Sequence, residues 1–252
     1  LEEWNRMKKY LQYDQCLMQY LSQELDDIDT TPCGKCSNCA PENALSTQFS
    51  EQMAINAGKF LSKISIPIRA KKVLPHSNAF STYQFPYYLE KLQHEPGKIL
   101  CYWGDPGWGE LARKGKESHS FDQELVIASA KLIKKEWRPE PFPKLLTFVP
   151  SNRSKLVKEF ANDLAKELDI ECLDLVSKIK DNKPQKKMEN SVFRCKNLDG
   201  TFAIASDIPN EPILLIDDVC DSGWTFTVIS ALLKQSGSEK VFPFAVASSA
   251  TN

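Results

Sequence analysis

Ile213-Leu214-Leu215-Ile216 runs without a polar side chain into Asp217 and Asp218, and the helix-like stretch TFTVISALLKQSG follows almost at once. An apolar run bounded in this way reads as a strand buried on both faces, which requires a parallel sheet with helices above and below it. The same rhythm fills the second half of the chain. KILCYW, KLLTFVP, ECLDLVSKI, FAIAS and KVFPFAVAS read as strands, and FDQELVIASAKLIKKEW and SKLVKEFANDLAKEL as helices between them. The alternation predicts an α/β fold over 97–252. No Gly-x-Gly-x-x-Gly follows any of these strands, so a dinucleotide-binding fold is not expected.

In such a sheet ligands sit outside the carboxyl ends of the strands, where Asp217 and Asp218 emerge. The backbone N–H groups of Asp221, Ser222, Gly223, Trp224 and Thr225 then form a turn at a helix N-terminus, a cradle suited to a phosphate. Carboxylates accept hydrogen bonds from sugar hydroxyls, and Ser222 and Thr225 add hydroxyls of their own, so a ribose 5-phosphate fits. The plainer alternative is an acidic strand end followed by a well-capped helix. Asp221 is open to two readings, a base-facing group or an N-cap. Trp224 is a stacking platform or a core plug, and Cys220 reads as strand-end packing.

Cys33, Cys36 and Cys39 stand in PCGKCSNC, a doubled C-x2-C, and Cys16 lies upstream in YDQCLMQYL. A C-x2-C turn holds two thiolates on one side of a knuckle, and tetrahedral zinc takes four sulfurs. Cys16 is expected at the edge of one helix over WNRMKKYLQYDQCLMQYLSQEL, with Met7, Leu11, Leu17, Leu21 and Leu25 on one stripe. Four protein thiolates leave no open position, so the metal is structural; an iron–sulfur cluster is the rival reading.

Of the chain's 252 residues, 42% are hydrophobic and 26% charged, a balance suited to a soluble globular protein. No apolar run approaches a membrane span and no secretory pattern opens the chain, which makes a cytoplasmic protein with no membrane partner the expectation. The chain opens inside a helix-like pattern without Met, as a piece of a longer protein does. At a formal net charge of -1, nucleic-acid contact must rest on local patches. Lys63, Arg69, Lys71 and Lys72 beside Tyr83, Phe85, Tyr87 and Tyr88 suit either single-strand stacking or packing between domains. Lys178, Lys180, Lys183, Lys186 and Lys187 suit pyrophosphate, DNA or a solvated loop, and Trp103 and Trp108 in WGDPGWG suit docking or nucleotide stacking. SEQMAINAGKFLSKI reads as a helix and IPIRAKKVLP as an extended stretch.

A Met-x2-Tyr helix, then Cys16, sixteen residues and PCGKCSNC resembles the zinc-binding subdomain of RecQ-type DNA helicases, with Ser37 where that family often has Asp. The resemblance covers about the first 45 residues. ILLIDDVCDSGWT resembles the phosphoribosyl pyrophosphate motif of type I phosphoribosyltransferases, and FVPSNRSKLVKEF with the Pro-Gln and Asn-containing stretch after Lys178 resembles their ComF-like branch. Trp224 and Asp221-Ser222 depart from the usual turn. That second resemblance implies that Asp217 and Asp218 hold ribose and bound Mg2+, that Asp221 to Thr225 hold the 5-phosphate, and that Ser151, Asn152 and Arg153 line the pyrophosphate site. It leaves Asp221 as the one candidate catalytic residue.

Together the resemblances imply a zinc module (1–45), a linker region without a complete winged helix (46–96) and a phosphoribosyltransferase-like domain (97–252). They imply the C-terminal region of a bacterial, ATP-dependent 3′-to-5′ RecQ-like DNA helicase of repair or recombination. ATP and Mg2+ would then serve only a motor outside this chain, which has no G-x4-GK-[ST] loop, and DNA would be its partner. The alternatives are an active phosphoribosyltransferase and a binding module for a phosphorylated ribose or a nucleic-acid end.

Overall fold

Ile213–Ile216, devoid of polar side chains, lie fully buried at the centre of a six-stranded sheet. The computed structural model describes residues 2–27, 31–44, 46, 48–50, 52–53, 57, 66–185 and 188–249. The chain divides into two compact units, Leu1–Ala57 and Gly58–Asn252.

In the first unit, α1 (Glu2–Leu11) and α2 (Leu17–Glu24) replace the single helix expected there. The break falls at Gln12–Cys16, because the Cys16 sulfur accepts from the Gln19 N–H and so starts a new helix as its N-cap. The pattern residues Met7, Leu11, Leu21 and Leu25 remain exposed. What ties the helices together is polar and aromatic. Tyr20 donates from its hydroxyl to the Arg6 carbonyl (2.9 Å) and packs on Tyr10 and Tyr13 at 5.8 and 4.9 Å. Arg6 pairs with Glu24 at 3.2 Å.

The second unit holds the α/β fold. Its main sheet runs in the order β1 (Ile66–Ile68), β2 (Gly97–Tyr102), β8 (Val241–Ser248), β7 (Ile213–Cys220), β3 (Leu145–Phe148), β4 (Glu171–Cys172), and only β1 is antiparallel to its neighbour. A separate antiparallel pair, β5 (Val176–Lys178) and β6 (Phe202–Ile204), stands apart from it. The single strand expected over ECLDLVSKI therefore splits at Leu173–Leu175, its first part edging the main sheet and its second turning into the small one. On one face pack α3 (Trp108–Ser118), α4 (Gln123–Lys131) with its π-helical extension Leu132–Trp137, and α5 (Leu156–Leu168). On the other pack α6 (Ser191–Leu198) and α7 (Trp224–Gln235).

The stretch read as a linker contributes to this second face. Leu74, Phe80, Phe85 and Leu89 are buried there, and Leu74 and Leu89 bond back to the Tyr87 and Lys72 backbone. Tyr83 exchanges hydrogen bonds with the Phe202 backbone, so Tyr83 and Phe85 serve packing rather than nucleic-acid stacking. The helix read over SEQMAINAGKFLSKI falls largely outside the described residues, as do Lys63, Lys186 and Lys187. Among the described residues no helix is long and apolar enough to cross a membrane.

The WGDPGWG stretch, read as a turn, runs straight into α3. Gly109 lets that helix sit on the end of β2, since a Cβ there would fall 2.2 Å from the Tyr102 carbonyl oxygen.

Candidate functional site

Two strands decide where a ligand can sit. From β3 the chain leaves through α5 on one face of the sheet to reach β4; from its neighbour β7 it leaves through α7 on the other face to reach β8. Departures to opposite faces open a crevice at the carboxyl ends of the two strands. The sequence-predicted groups lie on both sides of it, with Ser151, Asn152 and Arg153 following β3 and Asp217 to Thr225 ending β7 and starting α7.

Asp217 and Asp218 stand side by side near the end of the strand, close enough for their carboxyls to act on each other. Lys116, from α3, meets Asp218 Oδ2 at 2.7 Å. Asp217 Oδ1 instead accepts the Asp218 backbone N–H at 2.8 Å. Burial, reinforced by the charge of Asp218, pushes the Asp217 carboxyl well above the ordinary carboxylate range, against the pull of that N–H and of Lys116. The strand end thus carries one ion-paired carboxylate and one that resists ionisation.

This has a consequence for stability. An acid whose folded pKa lies above its unfolded value favours the folded state only while it is protonated, so stability falls as pH rises from about 4 through the raised pKa. Asp217→Asn, which keeps the accepting oxygen, is expected to stabilise the protein at pH 7 on the order of 1 kcal/mol. Thermal melts at pH 7 and pH 4 check it: the gain should shrink at the lower pH, and a variant no more stable than wild type at pH 7 would contradict the placement of that cost.

Beyond the acids, Gly223 adopts φ +78°, and a Cβ built there meets nothing within 4 Å. Gly223 caps α7 in the left-handed region with no side-chain cap, so the first N–H groups of the helix lack a capping side chain. Trp224 is buried against Phe80 with Lys71 over its ring, so its side chain is a core plug and only its backbone N–H remains to a ligand. Gly223, not Asp221, is the helix N-cap. Asp221 pairs with Arg194 of α6 at 3.0 Å, which corrects the capping reading and leaves the one candidate catalytic residue ion-paired. Cys220 is buried strand-end packing.

Across the crevice Ser151, Asn152 and Arg153 are exposed. The Arg153 N–H bonds Ser151 Oγ at 3.3 Å, and Asn152 donates to Asp181 Oδ1 at 3.2 Å. Desolvation holds the Lys178 ammonium below its ordinary range; Asp181 opposes this and Arg153 adds to it, so positive charge gathers beside this loop. A cleft of about 290 Å³ opens under it, lined by Pro150, Ser151, Ser154, Lys155 and Ser177 among others. The segment read as a flexible hood, between β5 and β6, carries α6, started by Asn190, whose Oδ1 accepts the Phe193 N–H.

In the first unit the four cysteines come together: the Sγ atoms of Cys16, Cys33, Cys36 and Cys39 all lie within 4.8 Å of one another. Four sulfurs about 2.3 Å from a tetrahedral zinc stand roughly 3.8 Å apart, so the set fits that ion. Backbone N–H groups aim at the sulfurs as they would at thiolates: Cys33 and Gln19 toward Cys16, and Lys35 and Cys36 toward Cys33. Desolvation raises the Cys36 thiol but is outweighed by N–H groups of Leu17, Cys39 and Asn38 and by the Cys39 thiol, which is itself raised in turn, so Cys36 is the more readily ionised of the two.

Asn38 and Arg194 carry no signal in the sequence, and Lys116 stands out there only as a basic residue beyond the WGDPGWG turn. Asn38 donates to the Tyr13 and Gln15 carbonyls at 2.7 and 2.8 Å and staples the knuckle to the α1–α2 turn. Lys116 and Arg194 reach the acids from 102 and 27 positions away along the chain (218 − 116 and 221 − 194), and no local motif marks them.

Residues 158–248 match the family model for a phosphoribosyl transferase domain. The match takes in Asp217 to Thr225 and Arg194 but not Ser151 to Arg153 or Lys116. No curated protein sequence matches the chain. Among solved structures, purine phosphoribosyltransferase from Pyrococcus horikoshii Ot3 is similar at 16% identity and a TM-score of 0.34, over 52% of this chain and 86% of that one. Adenine phosphoribosyltransferase from Leishmania tarentolae is similar at 18% identity and a TM-score of 0.33, over 51% and 72%. Glutamine phosphoribosylpyrophosphate amidotransferase from B. subtilis gives 16% identity and a TM-score of 0.34, over 48% and 26%.

Proposed function

We propose that the α/β unit binds a 5-phosphorylated ribose, phosphoribosyl pyrophosphate being the form that fills the whole crevice. The observation that carries this is the adjacency of β3 and β7, whose carboxyl ends lead into the Ser151–Arg153 loop and into the acids and the glycine turn. Asp217 and Asp218 accept from the ribose hydroxyls, the N–H groups of Ser222 to Thr225 take the 5-phosphate, and Arg153 and Lys178 face the pyrophosphate. Because Lys116 already pairs with Asp218, the acid pair suits neutral hydroxyls better than a bare cation. A Mg2+ that enters does so largely on the ligand's own phosphate oxygens.

Calorimetric titration with phosphoribosyl pyrophosphate and Mg2+ tests the reading. Micromolar affinity is expected, and no heat at millimolar ligand would overturn it. In an active transferase, the C1′–O bond to pyrophosphate breaks as a bond from C1′ to an acceptor nitrogen forms. Release of pyrophosphate on adding candidate bases separates that activity from binding alone.

The four-cysteine unit is a structural zinc site in this reading. Its convergent sulfurs, with the Met-x2-Tyr and PCGKCSNC spacing, support the wider proposal that the chain serves a RecQ-like, ATP-dependent DNA helicase acting in the cytoplasm. A G-x4-GK-[ST] loop in the coding sequence upstream of Leu1 is the outcome that reading requires.

A further inference from the structure

Asp221 is an unexpected residue in a turn that receives a phosphate, since its carboxylate bears the ligand's own sign. Placed two residues before Gly223, it makes no capping bond to α7. Its partner comes from the hood: Arg194 Nη2 lies 3.0 Å from Asp221 Oδ2, with the two side chains only 20% and 27% exposed.

The guanidinium is fixed on more than that contact. Arg194 Nε donates to the Met188 carbonyl at 3.2 Å, and its own carbonyl accepts from Gln185 Nε2 at 3.3 Å. A planar guanidinium can bond a carbonyl with one nitrogen and set the charge of another beside a carboxylate, as here without a hydrogen bond to Asp221 Oδ2, which a lysine ammonium on a flexible stem does less well.

We propose that Arg194 is a positioning residue for the phosphate turn, holding the Asp221 carboxylate neutralised and turned aside so that the N–H groups of α7 can accept an anion. This rests on the ribose-phosphate reading above. Without Arg194, Asp221 confronts the phosphate at close range in a partly desolvated crevice, where like charges repel far more than in bulk water. The same pair ties α6 to the turn.

Titration of phosphoribosyl pyrophosphate with Mg2+ into four full-length proteins tests this: wild type, Arg194→Gln, Arg194→Lys and Arg194→Gln/Asp221→Asn. Arg194→Gln should bind about tenfold more weakly, with the loss growing at low salt. Arg194→Lys, which keeps the charge but not the planar fork, should fall between wild type and Arg194→Gln. The double variant should recover most of the affinity, because the repelling charge has gone with its partner.

Melting curves confirm that each variant is folded. Should Arg194→Gln unfold, the folded double variant decides, since weak binding by it would mean that Arg194 meets the phosphate directly. Binding by Arg194→Gln as tight as wild type overturns the inference and leaves the ribose-phosphate reading intact. Silence of the wild type overturns that reading and this inference with it.

Discussion

Cys36→Ser should leave the Leu1–Ala57 unit without a stable fold. Within that unit α1 and α2 bury almost nothing: among the described residues only Cys16 and Ala40 are buried, and neither helix core can hold the pair together. What remains is the four-sulfur centre, and structural zinc bound by such sets contributes an apparent 10 kcal/mol or more, about the whole stability of an ordinary domain. Metal analysis of the wild-type chain should give about one zinc per chain, and the variant far less. Limited proteolysis read by mass spectrometry should then show rapid cleavage confined to the first 57 or so positions, as should wild type stripped by a strong chelator. A metal-free wild type with the same cleavage pattern as the zinc-loaded protein would defeat the expectation.

Asp217→Asn/Asp218→Asn is expected to weaken phosphoribosyl pyrophosphate binding at least about tenfold, since the lost charge-assisted bond from Asp218 to a hydroxyl costs roughly 1.5–3 kcal/mol. The loss should come without unfolding. Asp217→Asn on its own is expected to raise the melting temperature, so stability and affinity should move in opposite directions, as they do where a site carries a cost that the fold alone does not need. Equal binding by wild type and double variant would remove the acids from the site.

The α/β class and the parallel sheet could be read from the chain because a strand buried on both faces has no other home, and Ile213–Ile216 leave no second interpretation. Cys16 could be joined to the three-cysteine loop on chemistry alone, since a tetrahedral ion needs a fourth sulfur. Its position within a helix was misjudged, because a sulfur acting as an N-cap is invisible to hydrophobic periodicity.

The π-helical extension of α4 and the break of ECLDLVSKI at Leu173 escape for a related reason, as both segments keep an apolar pattern that a longer regular element would share. Lys116, Arg194 and Asn38 were illegible for a different reason. Each is an ordinary polar residue on a surface element, and its importance comes only from what the fold carries to within hydrogen-bonding distance.

The uninterrupted apolar run of β7 has a cost in information. In a strand with one wet face, a slip of one residue would expose the core, and the alternation itself forbids it. Ile213, Leu214, Leu215 and Ile216 are buried alike on both faces, so sliding them by one position would exchange one greasy side chain for another. The first residue to object is Asp218: a slip would turn its carboxylate away from Lys116. The acid that pairs with Lys116 is thus also the mark by which the central strand finds its place in the sheet.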